Sequence, residues 1–103
     1  MSDVVSSELR DYFAGRLPER LAEIEEACRE AREAGFAGEP LRTFHRLVHS
    51  LAGAGGTFGF PEVSEISREL ERLLKTCLGS ESPPNESAVG EIEGFLARLR
   101  AIA

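Results

Sequence analysis

Two histidines on one predicted helix are the residues of this chain best suited to chemistry. His45 and His49 lie four positions apart in the stretch FHRLVHSLAGAGGTFGF, which covers residues 44 to 60. Near neutral pH an imidazole can act as a nucleophile, a proton carrier or a metal ligand. The same stretch contains four glycines: Gly53, Gly55, Gly56 and Gly59. Each glycine in a helix interior costs roughly 1 kcal/mol relative to alanine, so we expect these glycines to serve a purpose other than helix formation.

Helical spacing separates a buried face of this segment from the face that carries His49. At about 100° per residue, the apolar residues share one side of the helix, and we predict that this side is buried. These residues are Leu41, Phe44, Leu47, Val48, Leu51, Gly55 and Phe58. His49 lies roughly 150° from the centre of that stripe. Beside His49 we place a candidate partner-docking surface formed by Arg42, His45, Arg46, Ala52, Gly53 and Gly56. The imidazole is therefore predicted to be exposed where the next turns carry almost no side chains, which suits the approach of another protein.

This pattern resembles the histidine phosphotransfer (HPt) domain of bacterial two-component relays. The similarity rests on His49-Ser-Leu-Ala-Gly53, followed by Ala-Gly-Gly-Thr-Phe-Gly59-Phe-Pro and an acidic amphipathic helix. The stretch is also similar to the N-terminal phosphotransfer domain of chemotaxis kinases. The resemblance implies a helical bundle in which His49 is phosphorylated on Nε2. It also implies that the partner receiver domain supplies the aspartate and the Mg²⁺, so that this chain needs no cofactor of its own.

The resemblance implies a phosphocarrier rather than an enzyme with an ATP site. His49 would take a phosphoryl group from a histidine kinase or a phosphorylated receiver and pass it to a response-regulator receiver domain. One departure from the family pattern is Ala52, which stands where a lysine is usual. We hypothesise that Arg46 or Arg42 partly replaces that lysine, because either cation can offset phosphoryl charge. Ala52 also leaves a second function open, that of a non-phosphorylated scaffold or inhibitory module that binds a receiver or kinase.

Metal binding and acid–base catalysis are the other chemistries considered. Histidines at i and i+4 can bind zinc, but His45-Arg-Leu-Val-His49 lacks the glutamate of the metalloprotease motif, and no acid on this helix is placed as a third ligand. We therefore predict no metal site and interpret His45 as a rim residue of the docking surface, with a small metal-binding bundle as a third interpretation that rests only on His45 and His49. The next predicted helix is rich in glutamate, which we interpret as a solvated acidic face. The residues concerned are Glu62, Glu65, Glu69 and Glu71.

Length and composition favour one small globular domain, residues 1–103. Apolar residues make up 42% and charged residues 29% of the chain, and the net charge is −6. An acidic chain without a basic, aromatic-rich stripe is a poor partner for nucleic acid. No apolar run has the length of a membrane span or of a signal-peptide core, so we predict a cytoplasmic protein that does not bind membranes. An extra apolar stripe is not evident, so we expect a monomer. Cys28 and Cys77 fit buried helical positions better than a disulfide framework.

The predicted fold is all-α, an antiparallel four-helix bundle with a short additional N-terminal helix. The short helix is predicted over residues 3 to 16, with Val5, Leu9, Tyr12 and Phe13 on one face, and Gly15 and Pro18 are expected to end it. The bundle helices are predicted over residues 18 to 34, 40 to 59 and 61 to 78, with a last helix capped by Asn85 or Ser87. No segment shows the alternation of a β-strand.

Overall fold

Four α-helices form the structure, a computed structural model that describes residues 6–103. They are α1 (Ser7–Glu33), α2 (Gly38–Thr57), α3 (Pro61–Leu78) and α4 (Glu86–Ile102). No strand occurs among the described residues. Each helix contacts the next along the chain, and α1 also contacts α4, which closes the bundle. The predicted all-α class and the four helices are confirmed.

Within residues 6–103 the additional N-terminal helix does not occur as a separate element. Residues 3 to 5 of that predicted helix lie outside the described residues, and from Ser7 onwards α1 runs unbroken through Pro18 to Glu33. A proline in a helix interior removes one backbone hydrogen bond and crowds the preceding turn, at a cost of about 3 kcal/mol. The helix must therefore be stabilised by packing on both sides of the proline.

That packing is visible in the buried stripe of α1. Phe13 precedes Pro18 and stacks on Phe58, the residue directly after α2, with ring centroids 5.3 Å apart. Leu17 and Leu21 continue the same stripe at 2% and 0% exposure. Burying each such side chain is worth about 1.5–3 kcal/mol, so three of them outweigh the proline penalty. Leu9 and Tyr12, predicted to share the face of Phe13, are exposed instead.

The core lies between all four helices and is built from the apolar stripes that the sequence predicts. Its fully buried members include Leu21, Leu41, Phe44, Val48, Leu51, Val63, Leu70, Leu74, Ile92 and Leu99. Cys28 and Cys77 are buried and free, and burial raises the pKa of both thiols. They are small packing residues, as expected.

The turn between α2 and α3 sets the alignment of the two helices that matter most for function. Gly59 adopts φ +84°, a left-handed conformation that glycine tolerates without steric cost. This allows the Phe60 backbone N–H to donate to the Gly55 carbonyl at 2.8 Å, closing α2 with a Schellman motif. Pro61 then begins α3 at once, so the two helices return antiparallel with only a short connection.

Candidate functional site

His49 lies on α2 at the border between the core and solvent. The residue before it, Val48, is fully buried, whereas the His49 side chain retains 70% of its exposure. The helix thus anchors the imidazole through its neighbours and leaves most of the ring accessible.

Glu71 of α3 holds one nitrogen of this ring. Its Oε2 lies 2.5 Å from Nδ1 of His49, and the carboxylate side chain is only 14% exposed. A carboxylate accepts hydrogen bonds, so a neutral His49 in this contact carries its proton on Nδ1 and donates it to Glu71. The lone pair is then on Nε2, the nitrogen that does not contact Glu71, and this nitrogen is a competent nucleophile.

The interpretation of Glu71 as part of a solvated acidic face is therefore wrong, although Glu62, Glu65 and Glu69 are exposed as expected. Glu71 lies next to Leu70, whose side chain is fully buried, so it emerges at the edge of the core. His49 and Glu71 are 22 positions apart and equally distant from Phe60, in the turn between the helices. Antiparallel helices joined by a short turn bring such residues level with one another, and this was a usable sequence signal for the pair.

The glycines after His49 divide into open and packed positions. A Cβ added to Gly53 would meet nothing within 4 Å, and one added to Gly56 would come no closer than 3.7 Å to Ser64 Oγ. A Cβ on Gly55 would instead lie 3.0 Å from the Ser64 backbone nitrogen and 3.1 Å from a methyl of Val63. The surface one turn beyond the imidazole is bare, whereas Gly55 lets α3 approach closely.

Comparison of the sequence with known proteins identifies the family of this chain. The family model of the Hpt domain matches residues 8–102, nearly the whole chain. The chain belongs to the Hpt domain family. Hpt domains serve histidine phosphotransfer in phosphorelays as phosphocarrier modules without a kinase domain.

One more distant likeness accompanies the family match. The Hpt domain is 24% identical over 83 residues to the chemotaxis protein CheA of Rhizobium meliloti (strain 1021). The aligned region is 81% of this chain and 11% of CheA, so the chain spans only a small part of that relative. No solved structure gives a significant match.

Ala52, the position where the family resemblance implies a lysine, is not on the exposed surface. It is 3% exposed, and its carbonyl oxygen accepts a hydrogen bond from Ser64 Oγ at 2.9 Å. Its inclusion in the docking surface is therefore corrected. Helical periodicity placed it beside His49, but α3 packs over that border of α2.

Several arginines lie near the face of α2 that carries His49, and they differ in their ion pairs and hydrogen bonds. Arg42 is exposed and pairs with Glu39 at 3.0 Å, while Arg46 is exposed and forms no ion pair among residues 6–103. Sequence reasoning missed two others that come from neighbouring helices. Arg20 of α1 donates to Ser50 Oγ at 3.1 Å, and Arg68 of α3 has a terminal nitrogen 3.9 Å from a Cβ built on Gly56. No signal within α2 could have pointed to either.

His45 is more enclosed than a rim residue. Its side chain is 20% exposed, its Nε2 lies 3.7 Å from Glu71 Oε2, and its ring is 6.4 Å from the His49 ring at an angle of 19°. Burial lowers the pKa of His45, and the positive charges that His49 and Lys75 can carry act in the same direction. The Glu71 carboxylate opposes them without reversing the shift, so His45 is neutral at physiological pH.

The described part of the chain was also searched for a metal site and for a membrane-spanning helix. Residues 6–103 contain no group of three or more histidine, cysteine, aspartate or glutamate side chains arranged to hold a metal ion. None of the helices within that range combines the length and apolar character needed to cross a bilayer.

Proposed function

We propose that His49 is the phosphoacceptor of this Hpt domain and that Nε2 is the atom that carries the phosphoryl group. The observation that carries this proposal is the contact between Nδ1 of His49 and Glu71, combined with the exposure of the ring. Glu71 keeps the proton on Nδ1, so the accessible nitrogen is the one with a lone pair. Because the Glu71 carboxylate is mostly buried and lies close to Nδ1, it fixes the orientation of the His49 ring and so the direction of the Nε2 lone pair.

The proposed reaction is a reversible phosphoryl transfer. Nε2 attacks the phosphorus of an aspartyl phosphate, an N–P bond forms, and the P–O bond to the aspartate breaks, which returns that carboxylate as the leaving group. The imidazole gains positive charge as the N–P bond forms, and the anionic Glu71 at Nδ1 stabilises that charge. The family resemblance implies that the aspartate and Mg²⁺ belong to the receiver. This chain contributes the nucleophile and the surface that positions it.

The proposed docking surface comprises Arg42, Arg46, Gly53 and Gly56 around His49. The bare turn at Gly53 allows another protein to approach the imidazole closely, and Arg46 adds positive charge to a chain of net charge −6. A local patch of this sign attracts a partner that presents carboxylates or a phosphoryl group. His45 lies beneath this surface rather than on it.

The proposed partners are a response-regulator receiver domain and a histidine kinase. The similarity to part of CheA supports a place in such a relay. We propose that the domain acts as a monomer, because a flat, bare surface around one histidine provides a complete site without a second copy. Sedimentation of the purified chain would check this.

The deciding experiment mixes the Hpt domain with a phosphorylated receiver. We expect label that is acid-labile and alkali-stable, as an N–P bond is, and that is absent in His49→Gln. His45→Gln is the matched control because these are the two histidines of the chain, and its label should remain. Label that persists in His49→Gln would refute His49 as the acceptor.

A non-phosphorylated scaffold is the second candidate function, favoured by Ala52 in place of lysine. The same mixture separates the two functions. Stable binding to the receiver without any transfer of label to the wild-type chain would favour the scaffold.

A further inference from the structure

Glu71 lies between two imidazoles, although phosphotransfer as proposed above uses only one of them. Oε2 of Glu71 is 2.5 Å from Nδ1 of His49 and 3.7 Å from Nε2 of His45. Nε2 of His45 is inaccessible to solvent and has no hydrogen-bond partner. A buried polar atom without a partner is costly, so its orientation toward a carboxylate calls for an explanation.

The protonation of His45 Nε2 follows from what faces it. A neutral imidazole has one N–H and one lone pair, and a lone pair directed at a carboxylate oxygen would be repelled. Nε2 of His45 therefore carries the proton. Water cannot supply an alternative acceptor because the atom is enclosed. A movement of the Glu71 carboxylate by less than about 1 Å would bring the contact within hydrogen-bond distance.

We propose that His45 is a positioning residue, which holds the Glu71 carboxylate in place and through it fixes the tautomer of His49. One carboxylate oxygen then sets the two rings in opposite tautomers, with Nε2–H on His45 and Nδ1–H on His49. This inference rests on the proposed function of His49, but it makes a separate claim about the unphosphorylated protein.

The tautomer of His49 affects phosphoryl transfer because it determines whether Nε2 has a free lone pair. If Glu71 could rotate away, His49 would populate both tautomers, and the fraction with a proton on Nε2 cannot attack phosphorus. His45 directs an N–H at the same carboxylate oxygen that His49 contacts, which restrains that rotation. Lys75 is a further charged group near His45, and it lies one turn beyond Glu71 on α3.

The test uses two substitutions at position 45 that differ in their ability to donate a hydrogen bond. His45→Phe keeps an aromatic ring but removes the N–H, whereas His45→Gln places an amide N–H close to where Nε2 was. Nitrogen-15 NMR of the unphosphorylated protein measures the tautomer of His49. We expect the Nδ1–H form to dominate in the wild type and in His45→Gln, and a mixture of both forms in His45→Phe.

Transfer from a phosphorylated receiver should follow the same order. We expect the rate to fall about fivefold in His45→Phe, because the Glu71 carboxylate loses the N–H directed at it, and to return to within about twofold of wild type in His45→Gln. In a Glu71→Leu background His45→Phe should have no further effect, because the carboxylate through which His45 acts is gone.

Equal His49 tautomers in the wild type and His45→Phe would overturn the proposal. If His45→Phe does not fold, His45→Asn provides a second test, because its shorter side chain cannot place an N–H where Nε2 was. It should give the same mixture of His49 tautomers, and a His49 tautomer unchanged from the wild type would also overturn the proposal. Because the tautomers are measured without phosphorylation, a failure of His49 to accept label would refute the proposed function without deciding the role of His45.

Discussion

Two glycines on α2, separated by a single residue, lie in opposite environments. Gly55 is buried against the first turn of α3, where an added Cβ would lie 3.0 Å from a backbone nitrogen. Gly53 faces open space on the side of His49. The same residue type therefore answers two demands: close helix packing on one side of α2 and clearance for a partner on the other. Comparing the two positions separates what the fold needs from what the site needs.

The largest expected effect is on stability, from Gly55→Gln. The new side chain would overlap the Ser64 backbone nitrogen and Val63, and overpacking of this kind costs about 1–3 kcal/mol. Its amide would also be buried without a partner, at about 1–3 kcal/mol, against roughly 1 kcal/mol gained in helix propensity. We expect a net loss of about 1–5 kcal/mol in the free energy of unfolding, measured by urea denaturation.

The matched control for this comparison is Gly53→Gln, with the same side chain introduced two residues earlier. A loss of stability at Gly53 as large as at Gly55 would contradict the division of α2 into a packed and an open side.

The next largest effect is on phosphotransfer, from Gly53→Gln itself. Its stability should be unchanged or higher by up to about 1 kcal/mol, since an exposed helical glycine is replaced by a good helix former. Transfer should fall at least about tenfold, because the added side chain stands one turn beyond His49 on the surface proposed to meet the receiver. Stopped-flow or rapid-quench transfer from a phosphorylated receiver gives the rate. Transfer at the wild-type rate in a folded Gly53→Gln variant would remove the clearance argument.

Most of the fold follows from periodicity that is local to each helix. The apolar stripes of α2, α3 and α4 indicated the buried faces of these helices. The angular positions of residues around α2 were enough to place Gly55 on the buried side and Gly53 on the exposed side. The exception in the fold is α1, where Pro18 is a real local penalty. It is outweighed by Phe13 stacking on Phe58, a residue far along the chain. The local sequence shows the destabilising proline, whereas the packing that offsets it forms only in the folded bundle.

One helix by itself determines only part of the site. The exposure of His49 follows from its position on α2, but its contact with Glu71 depends on how α3 is aligned against α2. Ala52 shows the same limit, because helical spacing gives its direction but not the width of the surface that α3 covers. Residues that approach from neighbouring helices, such as Arg20 beside Ser50, leave no trace in the local pattern.

The smallest expected effect concerns charge on the open side of α2 and distinguishes Arg46 from Arg42. Arg46 lies about one turn before His49 and has no ion-pair partner within residues 6–103, whereas Arg42 is a turn further away and is paired with Glu39 at 3.0 Å. An exposed charge contributes about 0.2–1 kcal/mol, so Arg46→Ala should slow transfer by up to about fivefold. Arg42→Ala should have less effect, because Glu39 already offsets its charge.

Varying the ionic strength tests whether Arg46 acts through its charge. Above about 1 M salt the Debye length is near 3 Å, so an electrostatic contribution from Arg46 should disappear and Arg46→Ala should match the wild type. A defect that persists at high salt would indicate a direct contact with the partner rather than a field effect. If both arginine variants transfer at the wild-type rate at low salt, neither replaces the missing lysine. The nearby cations that α1 and α3 contribute, Arg20 and Arg68, would then be the next residues to substitute, because they reach the same face without belonging to α2.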